Sequence, residues 1–301
     1  MSISALSTSL FYDRTSSAMT SLTAQSDKLS AQISTGKKLS AASDDVVAYQ
    51  RLRTIATDTA DTTAAQANIT TAQGILTSAD TALTSMTNLL QQASELTIQA
   101  RTGTLNDTDR GAIATQLSSI ADELASLANG KDTRGQPVFG GSGTGDAVTL
   151  NADGTHALAS GAVASIPIGG GQSVQPSASA TQVLGLANGG NVIDMIAALA
   201  ATLKTGGDTT DALGSAITDL STASTQVSDV QASLGARGAR LDVEANQLTS
   251  TATDREAVRS GLQDTDVSQA ITQLQKTMTV LQATQASFTK LTSLNLFDYL
   301  K

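Results

Sequence analysis

Cysteine and tryptophan are absent from this 301-residue chain, and it has one histidine, three prolines and seven aromatic residues (four Phe, three Tyr). The missing cysteine excludes a disulfide scaffold, a thiolate metal site and a thiol nucleophile. One histidine excludes a multi-histidine metal site and removes the usual route to acid–base catalysis. Lys and Arg number 18 against 27 Asp and Glu, a formal net charge of −9. That balance, with so few aromatic rings, argues against nucleic acid, which requires basic patches and stacking platforms. Long hydrophobic runs are missing too. The most apolar stretch, Ile193–Leu203, contains Asp194 and is much shorter than the roughly 20 residues of a membrane span. The first residues have neither a basic nor an apolar signal region, so no cleaved secretory leader is expected. At 40% hydrophobic and 15% charged, the composition is that of a folding chain. Its length suggests roughly two domains.

What is abundant is Ala, Ser, Thr and a helical rhythm. Ile69, Ala72, Leu76, Ala79, Leu83, Met86, Leu90, Ala93, Thr97 and Ala100 recur at alternating steps of three and four. Ile113, Leu117, Ile120, Leu124 and Leu127 do the same, as do Val227, Val230, Leu234, Arg237, Leu241, Glu244 and Leu248. Near the C-terminus the series is Val267, Ile271, Leu274, Met278, Leu281, Gln285 and Phe288; near the N-terminus it is Ala18, Leu22, Leu29 and Ile33. Sustained 3-4 spacing is the signature of a bundle or coiled-coil seam. Asp44-Asp45, Asn106 and Asp264-Thr265-Asp266 are positioned to cap helices, and Gly103 to end one.

All three prolines and many of the glycines fall between about 134 and 190, with strand-like pieces at Val148–Leu150 and Ala164–Ile168. The expected order is helix (about 4–35), helix (44–101), helix (107–129), a β/loop insert (134–190), a short helix near 191–203, helix (209–260) and helix (264–297). The two halves mirror each other. The expected fold is mainly α: a long antiparallel helical rod with paired terminal helices and a small β/loop-rich insert. The domains expected are a terminal helical domain (1–43 with 264–301), a rod (44–133 with 206–263) and a surface-exposed insert (134–205).

Five of the seven aromatics, Phe11, Tyr12, Phe288, Phe297 and Tyr299, lie at the ends. Two short helices cannot bury a stripe on every side, and isolated helices are marginal in water. The ends are therefore expected to fold against other copies. The expected assembly residues are Phe11, Leu22, Leu29 and Ile33, with Ile271, Leu274, Met278, Leu281, Phe288, Leu291, Leu294, Leu296, Phe297 and Leu300.

Several motifs make a case for chemistry and fail it. Gly140-Gly141-Ser142-Gly143-Thr144-Gly145 lacks the Gly-Lys-Ser/Thr ending of a phosphate loop and reads as a turn. His156 reads as an exposed loop residue with no second histidine to join it. Arg237 and Glu244 on one seam are either a buried register-setting pair or exposed edge residues. Gln285 is a polar interruption that selects packing partners. No nucleophile–base pair presents itself, so no catalytic, cofactor or metal site is expected.

Leu29-Ser-Ala-Gln-Ile-Ser-Thr-Gly36-Lys37-Lys38-Leu39 with Ala42-Ser43-Asp44-Asp45 resembles the N-terminal signature of bacterial flagellins and their junction relatives. Glu95–Ala100 with Gly103–Asp107 and Arg110, Leu234-Gly-Ala-Arg237 with Arg240-Leu241, and Asp264-Thr265-Asp266 before Gln269–Leu274 resemble further blocks of that superfamily, in order. Leu127-Ala-Asn129 followed by Gly135–Ser142, and the ending Ser293-Leu-Asn-Leu-Phe-Asp-Tyr-Leu300, resemble the hook-associated protein 3 family; Val138 stands where an aromatic is usual. The resemblance implies a flagellin-like fold and a structural junction between the hook, through hook-associated protein 1, and the flagellin filament. It implies self-assembly into a ring, an export chaperone and the flagellar export apparatus as partners, no nucleic acid or membrane partner, and an extracellular place on the flagellum without a cleaved signal peptide. A flagellin shares nearly all these motifs, and a cytoplasmic coiled-coil scaffold shares the heptads; both remain as alternatives.

Overall fold

A computed structural model describes residues 2–102, 105–143, 145–206 and 209–297, with side chains from residue 10 to residue 290 within those ranges. Its elements are α1 (Ser2–Thr35), α2 (Val46–Arg101), α3 (Asp107–Ala128), β1 (Val148–Leu150), β2 (His156–Leu158), β3 (Ile166–Gly169), β4 (Gln172–Val174), α4 (Ala180–Leu184), α5 (Val192–Thr205), α6 (Thr210–Gln263) and α7 (Val267–Phe297). The fold is mainly α with two small antiparallel strand pairs. The expected strand pieces appear as β1 and β3, while α4 carries no periodicity long enough to be seen in the sequence.

Helix starts follow the capping chemistry. Asp45 Oδ1 accepts the Ala48 amide at 2.9 Å and opens α2; Asn106 Oδ1 accepts from Asp109 at 2.8 Å and opens α3; Asp266 Oδ1 accepts from Gln269 at 3.0 Å and opens α7. Ser179 and Gln182 form a reciprocal capping box on α4. Asp44 and Asp264 do not cap. They serve the connectors between helices, described below. Gly103, expected to end a helix, lies outside the described residues.

The chain divides into two compact units, Met1–Thr59 with Ala252–Lys301, and Ala60–Thr251. In the second unit every position of the series Ile69 to Ala100 is buried, and Ile113, Leu117, Ile120 and Leu124 of α3 join them. α5 packs along α3 through Ile193, Ile196, Leu199, Ala200 and Leu203. From α6 come Leu213, Ala216, Leu220, Ala223, Val227, Leu234 and Leu241. The 134–205 segment supplies Val138, Phe139, Val148, Ile168, Val174, Val183 and Leu184 to this same core. Asn129 joins it to α3: its Nδ2 donates to the Val148 carbonyl and its Oδ1 accepts the Val148 amide, both at 2.8 Å. Gly169 (φ +104°) ends β3 in a backbone conformation that favours glycine, and a Cβ there would come within 3.3 Å of the Ala65 methyl of α2.

Candidate assembly surface

In the first unit, α1 pairs with α7. The Tyr12 and Phe288 rings meet edge to face, 5.3 Å between centroids, at one end. At the other end the Thr265 amide donates to the Gly36 carbonyl at 2.9 Å. The helices are therefore antiparallel. Along α1, Tyr12, Thr15, Met19, Leu22, Ser26, Leu29 and Ile33 are half-buried at alternating steps of three and four, with Gln32 beside the last of them. Along α7 the covered residues are Ala270, Leu274, Thr277, Leu281, Thr284 and Phe288, in the same rhythm. Several of these positions carry hydroxyls, and each threonine satisfies itself on the preceding turn: Thr15 donates to Phe11, Thr277 to Gln273 and Thr284 to Val280. Such a seam permits close approach, and most of its side chains stay half-buried.

The α7 series read from the sequence is displaced by one residue from this seam. Leu274, Leu281 and Phe288 belong to both stripes, whereas Val267 (42% exposed), Ile271 (41%) and Met278 (46%) point away. Gln285 is exposed and interrupts nothing within the chain, and Ala18 is exposed where Met19 is half-buried. Of the N-terminal residues, Leu22, Leu29 and Ile33 are half-buried, while Phe11 is 44% exposed beside Tyr12, with their rings 6.5 Å apart. Leu10 and Val280, which the periodicity passed over, are also exposed. Helix α7 continues through Leu291, Leu294, Leu296 and Phe297, whose side chains lie outside the described residues, as does Leu300 altogether. The terminal pair thus covers one stripe and leaves a second, one residue over, bare within the chain.

Two connectors join this pair to its neighbouring helices, and they are tied to each other. Lys37 and Asp264 form an antiparallel bridge, flanked by the Lys38 amide donating to the Gln263 carbonyl at 2.8 Å. Gly36 (φ +68°) makes the left-handed turn that ends α1. The Lys38 ammonium donates to the Gly261 carbonyl at 2.7 Å, placing a cation on the carbonyl end of α6. The acidic pair of the Ser43-Asp44-Asp45 motif divides its labour. Asp45 caps α2; Asp44 accepts the amides of Ser40 and Ala41, both at 3.1 Å, and pairs with Lys28 of α1 at 2.9 Å. The Lys28 ammonium, then those two amides, hold the Asp44 carboxyl down to about 2. Arg259 grips both oxygens of Glu256 at 2.7 Å and reaches Gln263 at 2.8 Å and Asp264 at 3.4 Å. The hydrogen bonds that Arg259 donates to Glu256 lower the carboxyl and raise the guanidinium. A cleft of about 600 Å³ opens beside these groups, with Leu39, Tyr49, Leu52 and Ile55 among its apolar lining and Lys37 and Arg53 among its charges.

The remaining sequence candidates resolve as structure. His156 is in strand β2, not an exposed loop. It is half-buried, and its Nδ1 lies 2.7 Å from Asp194 Oδ1. Asp194 also accepts the His156 amide at 3.0 Å and Asn191 Nδ2 at 2.8 Å, pinning the β1–β2 hairpin to the start of α5. Burial pushes the Asp194 carboxyl up, but the bonds from His156 and Asn191 outweigh it, and the group lies below its ordinary value. No motif foretold this contact, because its partners are 38 residues apart. Arg237 and Glu244 do not pair: seven residues along a helix is about 10 Å of rise. Arg237 donates instead to the carbonyls of Gln175 and Ser177, at 2.8 and 3.0 Å. Among the described residues no cluster of three or more His, Asp or Glu could hold a metal ion. No helix there is long and apolar enough to cross a membrane.

The known proteins that this chain is similar to agree with the geometry. The model of the bacterial flagellin N-terminal helical region matches residues 6–144, and that of the C-terminal helical region matches residues 217–300. No curated protein sequence matches the chain. Among solved structures, a Vibrio parahaemolyticus protein assigned as a flagellar hook-associated protein aligns with a TM-score of 0.69 at 22% identity, over 73% of this chain and 100% of its own. Xanthomonas campestris FlgL aligns at 0.61 and 16% identity, over 67% of this chain and 98% of its own. The flagellar junction protein FlgL of Legionella pneumophila aligns at 0.58 and 14% identity, over 71% and 100%. These likenesses establish a fold shared with hook-associated proteins. With both helical regions present in order over spans of 139 and 84 of its 301 residues, the chain belongs to the bacterial flagellin family of structural flagellar proteins.

Proposed function

We propose that this chain is a junction protein of the flagellum, joining the hook, through hook-associated protein 1, to the flagellin filament. The observation that carries the proposal is the apolar surface the terminal pair leaves exposed: Phe11 on α1, and Val267, Ile271 and Met278 along one face of α7, on the two helices that the family match spans. Burying such a side chain from full exposure is worth about 1.5–3 kcal/mol, so covering the exposed two-fifths of each contributes roughly 0.6–1.3 kcal/mol. Repeated around a ring of copies, a stripe of several such residues supplies the association energy without any site of covalent chemistry. The interface proposed is the set Phe11, Leu22, Leu29, Ile33, Ile271, Leu274, Met278, Leu281 and Phe288, continued by Leu291, Leu294, Leu296, Phe297 and Leu300. Export through the flagellar apparatus with a chaperone, and an extracellular position, follow from the family and belong to the same proposal.

The second reading is the filament subunit itself, favoured by family models that carry the flagellin name. Labelling of the chain on intact flagella separates the two. A band confined to the distal end of the hook supports the junction; label along the whole filament assigns the chain as a flagellin and sinks the junction reading. A band made of this chain alone, with no hook-associated neighbour cross-linking to it, would sink the stated partners.

A further inference from the structure

The sequence holds two Asn-Gly pairs, Asn129-Gly130 and Asn188-Gly189. An Asn-Gly step is the place where a side-chain amide is lost without an enzyme, because glycine has no Cβ to keep its backbone nitrogen away from the asparagine Cγ. The fold treats the two pairs in opposite ways. Asn129 is half-buried, with both ends of its amide engaged by Val148 at 2.8 Å. Turning its Cγ toward the Gly130 nitrogen would break both bonds and leave the Val148 amide and carbonyl without those partners. The Gly130 amide itself donates to the Leu127 carbonyl at 3.1 Å.

Asn188 is exposed, in a short loop closed by the Leu186 amide donating to the Gly190 carbonyl at 2.8 Å. Its Oδ1 accepts the Gly190 amide at 2.9 Å. That bond folds the side chain forward over the Gly189 amide and places a donor on the oxygen that turns negative when Cγ is attacked. Among the described residues nothing holds Asn188 Nδ2, the nitrogen that must leave. One bond opposes reaction: the Gly189 amide donates to the Leu186 carbonyl at 3.0 Å. It lies in an exposed loop, where water replaces it cheaply.

We infer that Asn188 is a site of spontaneous deamidation and that the fold protects Asn129. Solvent base removes the Gly189 amide proton, and the nitrogen bonds to Asn188 Cγ. The Cγ–Nδ2 bond breaks, ammonia leaves with a proton taken from water, and a succinimide remains. Water then adds at one of the two ring carbonyls and opens the ring to aspartate or isoaspartate. Either product adds a negative charge to the loop that precedes Asn191, the cap of α5 and a ligand of Asp194. The isoaspartate also places an extra methylene in the 186–190 backbone, so the two closing bonds of that loop fall out of register.

The test is to hold the folded full-length protein at mildly alkaline pH and map both sites over time by mass spectrometry, with isoaspartyl methyltransferase labelling to score the isomer. A parallel sample is held in urea. In the folded protein, loss at Asn188 should outrun loss at Asn129 by at least about fivefold, the low end of what two retained hydrogen bonds impose. In urea the two rates should converge, and Asn188→Gln should remove the folded-state signal. Equal rates in the folded protein overturn the inference. So does a preference for Asn188 that persists in urea, since the fold would then not be its cause.

Discussion

The buried series of α2 and the terminal pair α1–α7 are written in the same alphabet, alternating steps of three and four filled with Ala, Leu, Met and Thr, yet they behave differently. Between Ile69 and Ala100 every position of the series is buried within the chain. On α7 the series splits: Leu274, Leu281 and Phe288 are covered by the chain's own partner helix, while Val267, Ile271 and Met278 are not. The α2 stripe is wider than one phase as well, since Ile75 and Leu96 are buried beside the series; what differs is that the chain covers all of it. A stripe wide enough for two neighbours contains two overlapping phases, and reading it as a single heptad averages them. Within the chain, the α1–α7 seam is diluted with Thr15, Ser26, Thr277 and Thr284, and the apolar positions one residue over on α7 stay exposed.

The sharpest test of that contrast is core truncation. Leu83→Ala, at a fully buried position, should cost about 2–5 kcal/mol in urea unfolding of the free protein. Leu274→Ala, at a half-buried position on the terminal seam, should cost less than half of that. Equal costs would mean that the terminal pair is as well packed as the 60–251 core, and the comparison would fail.

Local stability should follow the same division. In dilute monomer, limited proteolysis should cut within about 1–43 and 264–301 before it cuts 60–251, because the residues of the terminal seam are mostly half-buried where those of the core are buried. Terminal helices that survive as long as the core would show that they fold without neighbours. Deleting Leu291–Lys301 should leave the 60–251 unit folded and abolish motility; retained motility would remove those residues from the interface.

How much of this was legible in the sequence divides along the same line. The α2 series from Ile69 to Ala100 could be read residue by residue, as could Ile113, Leu117, Ile120 and Leu124 of α3; Leu127 is only half-buried, and Ala114, Ala121 and Ala128, like Ile75 and Leu96 on α2, are buried beside the series that was read. The caps Asp45, Asn106 and Asp266 could be read because a carboxylate or amide before a periodic run has one cheap use. The role of Asp44 could not: the Lys28 contact and the turn at 40–41 exist only once α1 and its connector are placed. His156 with Asp194, and Arg237 with the carbonyls of Gln175 and Ser177, were hidden for the same reason, since polar contacts between distant segments leave no period. The bare stripe on α7 was half visible. Its residues stood in the series, but a period does not say which of two adjacent stripes the chain itself covers.

Surface substitution separates those two uses. Ile271→Asp with Met278→Asp should leave the unfolding free energy of the monomer within about 0.5 kcal/mol, the range of substitutions at exposed positions away from special features. Incorporation into flagella and motility should be lost. A folded, soluble double variant that still supports swimming would show that this stripe meets no partner.

The smallest effect expected is electrostatic, and it probes the connectors. Asp44 is held at about 2 by Lys28, Ser40 and Ala41, against 3.8 ordinarily. A carboxylate whose pKa is depressed by folding contributes its stabilisation above its unfolded pKa and loses it as the pH falls through the folded value. The contribution from Asp44 should therefore be intact at neutral pH, begin to fade below about 4, and be gone near 2. It should be slight, because the Lys28 side chain is more than half exposed and solvent screens the pair. A carboxyl-carbon NMR titration reads it directly. Lys28→Met should bring the Asp44 midpoint part of the way back toward 3.8, with the two backbone amides keeping the rest of the shift. A midpoint unmoved by Lys28→Met would mean that the turn at 40–44 alone orders this connector. Helix α1 would then not be tied there, and the contrast between a core held by burial and a terminal pair held partly by polar latches would lose its second half.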